Sequence, residues 1–174
     1  SVIINNGYVK GIVPKIHINE SECRWFASGS GVYVDDFNYA GQYCPLYSYM
    51  IFSLGEVDFA VETGDDLWAP VPPSSSLALK GAEIIFNPSA NTETIGKNIY
   101  LQSLVAQQSA RCLSGYVLSS CGFGESTTDV VFGGNGLIAE NGVMLATAER
   151  FSLKEQLIIS EIDVERLRNE RRSN

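Results

Sequence analysis

Val61-Glu62-Thr63-Gly64-Asp65-Asp66-Leu67-Trp68-Ala69-Pro70-Val71-Pro72-Pro73-Ser74 reads as the end of a buried strand, an acidic elbow, a proline-rich turn and the start of a helix. Upstream, Asp58–Thr63 is mostly apolar rather than alternating, as in a strand covered on both faces. Downstream, Ser74, Ser75 or Ser76 is placed to cap a short helix through Leu77-Ala78-Leu79-Lys80, with Gly81 to end it. Glu83–Asn87 then reads as a second buried strand. Strand, helix and strand in that order form the unit of an α/β sheet.

The pattern continues outward from this unit. Ile95–Leu113 predicts a helix, with Ile95, Ile99, Leu101, Leu104, Val105, Gln108 and Cys112 at roughly helical spacing. Tyr116–Cys121 predicts a strand, Gly122–Asp129 a loop, Gln156–Ile162 a strand and Val164–Arg172 a closing helix. Two Asn-Gly pairs predict hairpins: Asn6-Gly7 joins Val2–Ile4 to Tyr8–Val13, and Asn141-Gly142 joins Leu137–Ala139 to Val143–Ala146. Residues 27–50, rich in Gly, Ser, Tyr and Asp, read as loops with short strands. With no linker or low-complexity stretch, the expectation is one α/β domain over residues 1–174.

Composition narrows the function classes. A net charge of -8 argues against a nucleic-acid or anionic-membrane surface, which needs clustered Lys and Arg. The one basic cluster, Arg166, Arg168, Arg171 and Arg172, alternates with acids and reads as a solvated helix face. No run of eighteen apolar residues predicts a membrane span. The N-terminus lacks a signal-peptide layout and opens directly on a strand pattern, so the chain is expected to begin inside a domain. Cys23, Cys44, Cys112 and Cys121 form no CxxC pair and have only His17 to join them, which argues against structural zinc. A reduced, cytoplasmic protein is the expectation. The Gly122–Asp129 loop carries Glu125 and Asp129 and no lysine at P-loop spacing, so it is not read as a phosphate cradle.

Several separate blocks resemble the nitrilase-type glutaminase domain of glutamine-dependent NAD synthetases, within the carbon-nitrogen hydrolases. They are Gly11-Ile12-Val13-Pro14-Lys15, Arg24-Trp25-Phe26-Ala27-Ser28-Gly29, Leu67–Ser74, Gln108-Ser109-Ala110-Arg111-Cys112, Gly122–Asp129, Glu140-Asn141-Gly142 and Glu149-Arg150-Phe151. Their order and spacing carry the resemblance. It implies a nitrilase-like α-β-β-α sandwich, here partial and lacking its N-terminal portion. It also implies a Glu-Lys-Cys triad: a thiolate attacks the glutamine side-chain amide, a glutamate shuttles the proton, and a lysine holds the developing oxyanion. The ammonia released would pass to a synthetase domain, to which ATP and Mg would belong. The domain resembled here implies no cofactor of its own. A homo-oligomer is a further expectation.

Carried over residue by residue, Lys15 matches the triad lysine, Glu22 a second acid that orients it, and Gly64 the nucleophile's position. Asp65, Trp68, Asn91 and Lys97 match positions around the glutamine pocket, Asp65 for the α-amino group and Lys97 for the α-carboxylate. The loop from Ile16 to Cys23 is shorter than the family pattern, which leaves Glu20 as a substitute for Glu22. Two departures concern the chemistry. Where the family elbow reads Glu-Ile-Cys-Glu-Asp-Leu-Trp, the cysteine's place is held by Gly64, and residues 1–14 contain no Asp or Glu to serve as the base. Three readings follow: a glutaminase region inactive as this chain, a non-catalytic nitrilase-like module for assembly or regulation, and an amidase whose nucleophile has moved to Cys121.

Overall fold

Two-residue turns with both central residues at positive φ fold the outer strands into hairpins. The computed structural model describes residues 1–173. It runs through β1 (Val2–Asn5), β2 (Tyr8–Ile12), β3 (Tyr33–Tyr39), β4 (Gln42–Tyr47), β5 (Ile51–Leu54), β6 (Val57–Val61), α1 (Pro73–Leu79), β7 (Ile84–Ser89), α2 (Lys97–Cys112), β8 (Gly115–Ser120), β9 (Gly136–Glu140), β10 (Val143–Thr147) and α3 (Val164–Ser173). Asn6-Gly7 and Asn141-Gly142 make the two hairpins that the sequence predicts. A third, β3 to β4, turns on Ala40-Gly41 and replaces the loops and short strands expected for residues 27–50. Ala40 stands at φ +52°, a conformation that costs a residue with a Cβ about 1–2 kcal/mol.

Two sheets result. One has four strands in the order β1-β2-β4-β3, and the other six in the order β10-β9-β8-β7-β6-β5. β6, β7 and β8 are parallel at the centre of the larger sheet, with antiparallel neighbours at each side. α1 and α2 pack on this sheet. The core so formed holds Leu67, Leu77, Ile85, Leu101, Val105, Tyr116, Leu118 and Leu137. Each buried Leu or Val contributes about 1.5–3 kcal/mol relative to exposure. This is a nitrilase-like α/β arrangement.

Four details differ from expectation. The α1 helix starts on Pro72-Pro73 rather than on a serine cap, because proline at the first helical position has no N–H to satisfy. Ser74 falls inside the first turn, and its free backbone N–H donates to the Glu62 carboxylate at 2.7 Å. Leu101, Val105, Gln108 and Cys112 form the buried stripe of α2, but Ile95 precedes the helix and Ile99 faces outward, both exposed. Residues 156–162 form no strand. Ile158 and Ile162 instead pack over Gly136 and Gly115, where a Cβ would crowd them, so these apolar residues are used in packing without a ladder partner. Of the C-terminal arginines, Arg166 and Arg172 are exposed as a solvated face would be, but Arg168 and Arg171 are not. Arg168 ion-pairs with Glu83, and Arg171 donates to the carbonyls of Ala82, Cys112 and Leu113, tying α3 to the ends of α1 and α2.

Candidate functional site

The elbow follows β6. The chain leaves the strand at Val61 and turns through Gly64, at φ +56°, into a 3-10 turn over Gly64–Trp68. Glycine takes this left-handed conformation without the Cβ penalty. Its backbone is held by one side chain: Asn87, on β7, accepts from the Gly64 N–H at 2.8 Å and donates to the Gly64 carbonyl at 3.2 Å. The Asn87 amide also donates to the Tyr116 hydroxyl at 2.9 Å, and that hydroxyl donates to Glu62. Burial raises the pKa of both Glu62 and Tyr116.

Lys15 reaches the elbow from beyond the end of β2, and Asp66 sets the approach. The Asp66 carboxylate accepts from the backbone N–H groups of Ile16 at 3.1 Å, His17 at 2.6 Å and Thr63 at 3.1 Å. Lys15 Nζ donates to both Glu22 oxygens at 2.7 Å and to Asp65 Oδ2 at 3.3 Å. Asn19 completes the cluster, donating its amide to Asp65 at 3.0 Å and its backbone N–H to Glu22 at 3.0 Å. Despite the shortened loop, Glu22 meets the lysine; Glu20 is exposed. Burial by itself would lower the Lys15 pKa, but the Glu22 and Asp65 carboxylates outweigh it and hold the ammonium above its ordinary value.

Lys15, Glu22, Gly64, Asp65, Ser89 and Lys97 are among the residues lining a cavity of about 730 Å³. It lies at the carboxyl ends of the parallel strands β6 and β7, where open α/β sheets place their ligand crevices. Lys97 Nζ sits 5.2 Å from the Trp68 ring centroid and donates to Thr92 Oγ1 at 3.4 Å. Trp68 in turn donates its indole N–H to Asn91 at 3.2 Å. Asp65 and Lys97 are therefore on the cavity wall, while Trp68 and Asn91 support Lys97 rather than line the wall. Cys121 is half-buried, with its thiol pKa raised by burial, and its backbone N–H donates to the Ser89 carbonyl at 3.1 Å. Cys112 is buried in the core, its thiol pushed up to about 11. Among the described residues, no cysteine lines the cavity, and no three His, Cys, Asp or Glu side chains gather as a metal site. No helix among the described residues is long and apolar enough to cross a membrane.

The arrangement supplies a cation beside an elbow, with two carboxylates already committed to that cation. Three supporting residues were not anticipated. Asp66 had a signal, because Thr63-x-x-Asp66 fits the capping pattern at a helix start. Asn87 and Asn19 had none: one is an amide in an otherwise apolar strand, the other a loop asparagine.

Comparison with known proteins bears on the family and the fold. Residues 2–172 match the family Carbon-nitrogen hydrolase. The glutamine-dependent NAD(+) synthetase of Mycobacterium leprae is 35% identical over 178 residues, which cover 98% of this chain and 26% of that protein. The chain thus spans about a quarter of the length of that curated relative. The crystal structure of a glutamine-dependent NAD(+) synthetase from Cytophaga hutchinsonii superposes with a TM-score of 0.76 at 25% identity, over 88% of this chain and 25% of that one. A carbon-nitrogen hydrolase from Helicobacter pylori superposes with a TM-score of 0.73 at 20% identity, over 99% and 59% of the two chains.

Proposed function

Because the chain belongs to the carbon-nitrogen hydrolase family, we propose that it is a glutaminase-type region of a glutamine-dependent NAD synthetase that holds glutamine without hydrolysing it. Asp65 takes the ligand's α-amino group and Lys97 its α-carboxylate. Lys15 stands where an oxyanion would develop. The observation that carries the reading is Gly64: the elbow beside Lys15 has the form of a nucleophile elbow and no side chain to attack with. Glu22 and Asp65 are both paired to Lys15, so neither is free to shuttle a proton. Loss of the nucleophile alone costs about a million-fold in turnover. In the parent protein the region adjoins a synthetase domain that uses ATP and Mg, and glutamine bound here would gate that domain rather than feed it ammonia.

The test is labelling with an electrophilic glutamine analogue followed by peptide mapping, alongside an ammonia-release assay. The expected result is no labelled cysteine and background ammonia, with Gly64→Cys becoming labelled at position 64. Ammonia release at the rate of an intact glutaminase would overturn the reading, and a labelled Cys121 would place the nucleophile there instead.

A further inference from the structure

Residues 155–163 form no helix, strand, turn or bend, and over residues 157–163 exposure alternates, odd positions outward and even positions inward. A straight run with a period of two has the geometry of a β-strand. Its inward side packs, with Ile158 over Gly136 and Ile162 over Gly115. Its backbone does not pair: among the described residues, no N–H or carbonyl of residues 157–161 makes a hydrogen bond. Such a row of free donors and acceptors is a template for one more strand.

A cavity of about 370 Å³ lies beside the segment, with Leu157 and Ile158 in its wall. Its floor is the face of β8 and β9 turned away from α1 and α2. There Val117 pairs across the strands with Ile138, and Ser119 with Gly136, while Tyr116 and Leu118 enter the core. The Ser119–Gly136 pair is small, which leaves room above the sheet for side chains from outside. This cavity shares no lining residue with the one at Lys15. The outward row of the segment reads Glu155, Leu157, Ile159, Glu161: two aliphatic residues, 84% and 80% exposed, between two exposed glutamates. A second copy of this chain fits that row poorly. In the antiparallel register that sets Leu157 against Ile159, Glu155 stands opposite Glu161 at both ends, and like charges directly opposite destabilise a pair. The net charge of -8 acts in the same sense and favours a basic partner.

We propose that residues 157–161 are a docking edge for an extended peptide segment of a partner protein, which adds to them as a strand. The incoming backbone takes up the free N–H and carbonyl groups. Its aliphatic side chains at alternate positions fill the cavity over Val117 and Ile138. Its Lys or Arg residues at the two flanks meet Glu155 and Glu161. Binding is non-covalent throughout.

The probe is the fluorescein-labelled peptide Lys-Val-Thr-Val-Thr-Val-Lys, whose palindromic order serves either strand direction, read by anisotropy against the full chain. A control peptide carries glutamate at both ends. The lysine peptide is expected to bind at least about tenfold more tightly than the control, in which two opposite-charge pairs become like-charge pairs. Consecutive N–H groups of a strand point to opposite edges, so only one of Ile159→Pro and Ser160→Pro removes a donor that faces the peptide. That variant should weaken binding at least about tenfold and the other far less. Neither N–H is bonded in the free chain, so both variants should keep the thermal midpoint of the parent. Glu161→Lys leaves the backbone intact and should weaken the lysine peptide while improving the control. No binding up to about 1 mM peptide, or equal binding by the two folded proline variants, would overturn the proposal. So would sedimentation showing the chain alone as a dimer that Glu161→Lys tightens, because the occupant is then a second copy.

Discussion

Replacing Asn87 with alanine tests whether one side chain holds the elbow. Asn87 is 1% exposed and makes three hydrogen bonds: two to the Gly64 backbone and one to Tyr116. The Asn87→Ala change strands the Gly64 N–H and carbonyl, while Tyr116 keeps its bond to Glu62. At about 1–3 kcal/mol for each buried orphan, and with some relaxation toward the cavity, the loss is about 2–5 kcal/mol. That is a large share of the roughly 5–15 kcal/mol that holds a domain folded. With a urea slope of about 2 kcal/mol per molar, the midpoint should fall by about 1–2.5 M. The assay is urea unfolding followed by both circular dichroism and tryptophan fluorescence, with coincident curves required. Exposed Asn169 is the control, and Asn169→Ala should stay within about 0.5 kcal/mol. An Asn87→Ala loss below about 1 kcal/mol at unchanged slope would refute the argument, because Gly64 would then not depend on the amide.

Two further outcomes follow from titratable groups. Burial would raise the Glu83 pKa, but its pairing with Arg168 and the bond from the Asp58 N–H outweigh that and lower it. A carboxylate depressed in the folded state stabilises fully above its unfolded pKa of about 4.3 and loses that contribution as pH falls through the folded value. Stability profiles from pH 7 into acid should therefore be flatter for Glu83→Gln than for the parent, and equal slopes would contradict the pairing. With its thiol at about 11, Cys112 carries at pH 8 a thiolate fraction of about a thousandth, whereas Cys23 is exposed. A disulfide reagent at pH 8 should modify Cys23 at once and Cys112 only after unfolding, and rapid native labelling of Cys112 would contradict its burial.

Legibility varied with how local the cause was. The Asn-Gly hairpins were readable because the turn needs positive φ at two residues and Asn and Gly are the residues that accept it. The β3–β4 hairpin was not, because Ala40 occupies the same conformation without announcing it. Ile158 and Ile162 misled because a β-branched apolar run suits a strand, and packing over glycines uses such residues as well as a ladder does. At the site, Lys15, Glu22, Asp65 and Lys97 were named from sequence and the fold brings them onto one cavity. Asn87 and Asn19 act on groups 23 and 46 residues away, at distances in sequence that no local pattern encodes. Arg171 was misread for the same reason: its partners are the carbonyls of Ala82, Cys112 and Leu113, at element ends far upstream.

The Asp66 carboxylate joins the lysine arm to the elbow across fifty residues of chain, and it does so through backbone N–H groups alone. Its grip is blind to what residue 64 carries. Mould and reagent are thus separable in this protein: a single side chain can be deleted without slackening the frame that aimed it. The converse is useful. A residue installed at position 64 would pay about 1–2 kcal/mol for its left-handed backbone and find its surroundings already in place. A cysteine, a serine or a non-natural warhead placed there would be oriented by Asp66 and Asn87 on the day it was introduced, with no second change to the scaffold.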